Sequence, residues 1–152
     1  MTWYILQITP QSALRPTPVF KRGRVSMLNK PKYTAYKNTL AFLCRGKNVT
    51  FEDRKIEGIK IPKGDYYKIE AYLYKPYPKA TPKYKRIEGA VRRKIPDWDN
   101  EMKALQDAIV QAKIITDDGI ISDGIGRKRW TTEEHGRIEF RLKLYEEKTT
   151  KS

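Results

Sequence analysis

Between Asp99 and Ala112 the apolar residues Met102, Leu105, Ile109 and Ala112 recur at the three-then-four spacing of a single helical face. A strand would scatter that stripe over both of its faces, so the segment must be an amphipathic helix laid on a core. Asp99, Lys103 and Asp107 step by four along the flank of the stripe and stand on one side of the helix. Pro96-Asp97-Trp98-Asp99-Asn100 leads into the helix, and the turn Asp117-Asp118-Gly119 follows it. Carboxylates therefore bracket it at both ends.

Those acids are set in a strongly basic background. The chain has 152 residues and a net charge of +14, an excess that repels itself and is usually there to meet a polyanion. Its length suits one ordinary domain, 1–152, and 39% apolar residues with ten Tyr and three Trp suffice for a core without staples. No apolar run approaches the roughly 20 residues of a membrane span, so nucleic acid is the expected partner rather than a bilayer. Met1 to Ile8 is too short and too uncharged at its start for a secretion signal. A lone Cys44 allows no intrachain disulfide and is expected as filler on an apolar helix face, and a cytoplasmic, reducing compartment fits.

Along the chain, Thr2 to Ile8 reads as a strand stopped by Pro10. Residues 10 to 30, with prolines, Gly23 and the basic group Lys21, Arg22 and Arg24, read as a loop. Lys32 to Arg45 is predicted helical, with Gly46 at its stop. Phe51 to Pro62 is ambiguous, with a short strand expected around Ile59 to Ile61, whereas Tyr66 to Tyr74 alternates as a strand should. Lys75 to Lys94 reads as a loop in which Lys75, Lys79, Lys83, Lys85, Arg86, Arg92, Arg93 and Lys94 face one acid, Glu88. Beside a carboxylate cluster such a run is an electrostatic cradle for backbone phosphates. Tyr77 and Tyr84, interleaved among its charges, are either stacking platforms for unpaired bases or packing residues. Ile125 to Thr131 and Arg137 to Leu144 are expected to close the fold as a strand pair joined by a polar turn at 133 to 136, with Glu146 to Ser152 a frayed tail.

Capping and dipole effects explain part of the acidic pattern. Asp97 suits an N-cap, Asp99 and Glu101 complement the first turn, and Lys103 with Asp99 or Asp107 makes a surface pair worth about 0.3–0.5 kcal/mol. Spacing adds a second possibility. The helix from Asp99 to Ala112 spans about 20 Å, and six extended residues cover about 20 Å on the way back. A strand returning beside the helix then carries Asp118 to the helix start, where Asp97, Asp99 and Asp118 share one cation. Oxygen-only ligands suit Mg²⁺ or Mn²⁺. With one Cys and one His, His135, neither a conventional zinc site nor an imidazole-activated nucleophile is expected.

The order Pro96-Asp97-Trp98-Asp99-Asn100, Lys103, Asp107-Ala108, Asp117-Asp118 resembles the RusA family of Holliday-junction resolvases of phages and prophages. The distinctive stretch covers about residues 94 to 130, with Trp98 and Glu101 standing where family members often carry leucine. The resemblance implies an α+β fold, a small mixed β-sheet packed against two main helices. It implies a homodimer that cuts four-way DNA junctions with paired, symmetric nicks, using Mg²⁺ or Mn²⁺ and no small-molecule cofactor. Asp97, Asp99 and Asp118 become the metal carboxylates, Lys103 the essential lysine, and Asp117 and Asp107 possible helpers. Arg22, Arg24, Lys128 and the cations of 75 to 94 are the expected DNA contacts. Trp3 and Tyr4, or an exposed helix face, are candidate dimer surfaces. Two alternatives stand beside this reading: a less selective nuclease of flaps and forks, and a non-catalytic nucleic-acid-binding module.

Overall fold

Tyr67, Ile69, Ala71 and Leu73 alternate with Lys68, Glu70, Tyr72 and Tyr74, and this period of two organises the sheet. The computed structural model describes residues 3–11, 17–21, 24–28, 31–46, 49–61, 63–93, 98–116 and 118–144; for 17–21, 24–28, Trp98 and Asp118 it describes the backbone alone. Its elements are β1 (Tyr4–Leu6), β2 (Thr17–Lys21), β3 (Arg24–Leu28), α1 (Pro31–Arg45), β4 (Val49–Phe51), β5 (Arg54–Ile56), β6 (Tyr67–Pro76), α2 (Trp98–Gln111), β7 (Ile121–Thr131) and β8 (Arg137–Leu144). Six strands form one sheet in the order β5-β4-β1-β8-β6-β7, and β2 pairs with β3 separately. β6 and β7 run parallel, while the other neighbours are antiparallel, which makes the sheet mixed and the fold α+β.

One face of the sheet is apolar. Tyr4, Leu6, Val49, Ile69, Ala71, Leu73, Ile138 and Phe140 are buried there with Leu40, Ala41 and Cys44 of α1 and Met102, Leu105, Ala108 and Ile109 of α2. The stripe read from 99 to 112 is thus the buried face of α2. Tyr4 stacks on Phe51 and touches Phe140, so it is a core residue and not a dimer surface. The opposite face carries Trp3, Tyr72 and Tyr74 interleaved with arginines: Arg141 lies over Trp3, Arg127 over Tyr72 and Arg137 over Tyr74.

Three expectations are corrected. Residues 17–21 and 24–28 are paired antiparallel strands rather than loop, with Val19 opposite Ser26 and Phe20 opposite Val25. The segment after Val49 is a hairpin, and Ile59 to Ile61 is no strand. Glu52 and Asp53 both take positive φ, which matches a two-residue turn with the twist of its strands. Finally, β7 and β8 do not pair with each other, because β6 lies between them. Their connection crosses the end of β6, and a Cβ on Gly136 would stand 2.5 Å from the Tyr74 carbonyl oxygen, so only glycine passes there.

Candidate active site

α2 presents its flank as the spacing requires. Asp99 is exposed in the first turn. Lys103 reaches solvent, with its ammonium 3.6 Å from the Asp107 carboxylate. Asp107 in turn accepts a 2.6 Å hydrogen bond from the Tyr33 hydroxyl, which ties α2 to α1. Burial, then the bond to Asp107, pushes the Tyr33 phenol well above its ordinary range, so it stays a donor. Asp107 is occupied structurally, whereas Asp99 is open.

Asp118 lies at the other end of this unit. Its backbone opens a short 3₁₀ turn, Asp118–Ile120, that leads directly into β7, whose first residue pairs with Tyr67. Glu101, by contrast, is joined through Arg92 to the Leu73 carbonyl, six residues further along β6. α2 therefore runs back along the parallel strands, and about 18 Å of helix axis separates Asp99 from Gln111. The expected extended return does not form. Lys113 N–H donates to Val110 O and Ile114 N–H to Ile109 O, the paired bonds that terminate a helix, with Lys113 at φ 61° in the left-handed position. The chain turns at the bottom of α2, so one copy leaves Asp118 remote from Asp99. Asp97 and Asp117 lie outside the described residues, as does the Asp118 side chain. Among the described residues no cluster of three metal-ligating side chains occurs.

Cations gather where the C-terminal ends of β6 and β7 meet the start of α2. Lys75 is half-buried there, and its ammonium is pushed below the ordinary lysine range by burial, opposed by Glu101 and reinforced by Arg92 and Lys128. Arg92 itself is no phosphate contact. It is buried, forms two bonds to the Glu101 carboxylate at 2.5 and 2.9 Å, and donates to Leu73 O and Arg129 O. Glu101 is equally buried, beyond the dipole role expected of it. Arg86 serves its own loop, donating to the Thr81, Pro78 and Lys79 carbonyls. Lys79, Lys83, Lys85 and Arg93 are exposed. Lys94 and Arg22 lie outside the described residues, and Arg24 is described only as β3 backbone. The arginines of the open sheet face, Arg127, Arg137 and Arg141, escaped sequence reasoning; the alternation of Arg137 and Arg141 with the core residues Ile138, Phe140 and Leu142 of β8 is the signal that places those two together.

The candidate donors are carboxylate oxygens, which suit a hard divalent cation. Cys44 is sealed in α1 with its thiol pushed up to about 12 by burial, and His135 is exposed in the β7–β8 connection. The described helices include none long and apolar enough to cross a membrane. No curated protein matches the chain closely. The family described as Endodeoxyribonuclease RusA matches residues 7–143, a span that begins just after β1, ends within β8 and includes both acidic segments. The chain belongs to the RusA family of endodeoxyribonucleases.

Proposed function

We propose that this protein resolves four-way DNA junctions by paired, symmetric nicks, as a homodimer, with Mg²⁺ or Mn²⁺ held by Asp97, Asp99 and Asp118. The observation that carries the reading is the exposed Asp99 in the first turn of α2, two residues before the Glu101 that meets Arg92 and Lys75, on a chain of an endodeoxyribonuclease family. Carboxylates facing a phosphodiester would repel it unless a cation lay between them. When bound, the cation polarises the scissile phosphate and lowers the pKa of water. Lys103 is free to swing from Asp107 and neutralise charge that develops on the phosphoryl oxygens. Lys75 and Lys128 hold the flanking phosphates, and the exposed lysines of 79 to 85 hold a DNA arm; such contacts set affinity and register more than sequence preference.

Because α2 keeps Asp99 and Asp118 apart, a shared cation is built from two copies: Asp97 and Asp99 of one, Asp118 of the other. Two-fold symmetry then generates two equivalent sites, one for each nick. The test is a labelled junction, a fork and a linear duplex, each incubated with Mg²⁺ and protein. Wild type should nick the junction in pairs, and Asp99→Asn should abolish cleavage while binding survives or tightens. Asp118→Asn should do the same, and mixing the two inactive variants should restore single nicks, since one site in each mixed dimer keeps all its acids. No activity on any substrate would leave a binding module. Equal cleavage of the fork and junction would leave a less selective nuclease.

A further inference from the structure

The structure separates two tyrosines that the sequence leaves equivalent. Tyr77 is a packing residue: its ring stacks on Trp130 at 5.2 Å, and its hydroxyl donates to Ile87 O and accepts from Ile87 N–H. Tyr84 does the opposite. It stands in the 3₁₀ turn Lys83–Lys85 with 82% of its surface exposed, and Ile87 and Val91 of the same loop are 66% and 59% exposed. A single exposed apolar residue needs no explanation. Three on one loop, within a basic segment, do.

The loop is held in place. Arg86 binds the Thr81 carbonyl at 3.0 Å, Gly89 N–H donates to Trp130 O, Trp130 N–H to Ala90 O, and Arg92 N–H to Lys128 O, so residues 89 to 92 lie along the outer edge of β7. The ring is thus presented on a fixed scaffold, and a ligand stacking on it loses little to ordering of the loop. The surroundings name the ligand. Lys79, Lys83, Lys85 and Arg93 are exposed around it, with Lys85 Nζ 5.8 Å from the ring centroid. The one acid of the segment, Glu88, is occupied by Thr131, Thr132 and Arg137. A flat apolar ring in a field of cations fits a polyanion that carries flat rings of its own.

We propose that Tyr84 is a base-stacking post for DNA at a branch point, where stacking between arms is interrupted and a base face is free. Its distance from the cutting site is fixed by the Arg92–Glu101 clamp, which joins the end of this loop to α2 two residues beyond Asp99. Tyr84 is in this sense a positioning residue, and the assignment rests on the junction-resolving reading above.

The test measures binding without Mg²⁺, so it does not depend on cleavage. Wild type, Tyr84→Ala and Tyr84→Phe are titrated against a four-way junction with 2-aminopurine at the crossover and against a linear duplex of the same arm sequence. Tyr84→Ala should weaken junction binding roughly 5- to 150-fold, the range of one base stacked on one aromatic ring, and lose the 2-aminopurine response. Its duplex affinity should stay at the wild-type value, and Tyr84→Phe should match wild type throughout. Unchanged junction binding by Tyr84→Ala, equal loss on duplex, or failure of Tyr84→Phe each overturns the proposal. A parallel incubation with Mg²⁺ separates the two readings: absence of cleavage beside a selective Tyr84→Ala defect sinks the nuclease mechanism and leaves the stacking post standing.

Discussion

Replacing Glu101 by Gln tests how the candidate site is held up. Arg92 and Glu101 are 2% and 1% exposed, and the guanidinium meets the carboxylate through two nitrogens. It also donates to the Leu73 and Arg129 carbonyls, so one side chain ties β6, β7 and α2 together. Taking both charges out of water is costly, and the pair repays this only while both members are present. Removing the negative charge leaves a buried, uncompensated guanidinium, a loss of about 3–5 kcal/mol. That is a large share of the roughly 5–15 kcal/mol that holds a domain folded. At about 2–4 °C per kcal/mol for a chain of this size, Tm should fall by roughly 6–20 °C.

The same physics predicts that the double replacement Arg92→Met with Glu101→Leu regains most of the loss, because no charge remains to be compensated. Urea unfolding of wild type, Arg92→Met, Glu101→Leu and the double variant, with Glu101→Gln alongside, followed by circular dichroism, closes the cycle. A Glu101→Gln variant within about 0.5 kcal/mol of wild type, the range of an ordinary surface substitution, would refute the buried-charge account. So would a double variant no better than either single one.

Lys113→Gly should stabilise the fold by about 0.5–1 kcal/mol, because a left-handed φ of 61° penalises a side chain more than glycine loses in backbone entropy; a lower urea midpoint would contradict this. Glu70 is held below the ordinary carboxylate range, first by its hydrogen bond from Arg141, against the opposing effect of burial, and then by Lys68 and Arg127. Its stabilising contribution is therefore complete above the unfolded value of about 4.3 and is lost as pH falls toward the folded value. Glu70→Gln should flatten that acid limb of the stability curve, and an unaltered slope between about pH 3 and 5 would rule it out. Lys75 is depressed chiefly by burial, so folding disfavours its charge at neutral pH, and Lys75→Gln should leave Tm equal or higher. It should also lower the slope of log affinity against log salt by about 0.9, one phosphate contact, and an unchanged slope would remove Lys75 from the DNA interface.

Much of the fold was legible in local pattern. The stripe from Met102 to Ala112 gave α2 and its buried face, and alternation gave β6 and β8. The strand pair of 17–21 and 24–28 was hidden by prolines and basic residues in the sequence, which outweigh the weak β signal of Val19, Phe20 and Val25. Sequence alone also marked the chemistry: acids bracketing one helix, a cationic background, and the family to which both belong.

Tertiary structure decided what those residues can reach. Periodicity reports which face of an element is apolar, but says nothing of which strand lies beside it, so the insertion of β6 between β7 and β8 could not be read. Spacing fixes the length of chain between Asp99 and Asp118 but not its direction, and the left-handed turn at Lys113 sends it away from the helix start. Arg92 and Arg93 are adjacent and chemically identical, yet one is sealed against Glu101 and the other faces solvent. Charge is a property of the residue; burial and partners are properties of the fold, because they depend on groups distant in sequence.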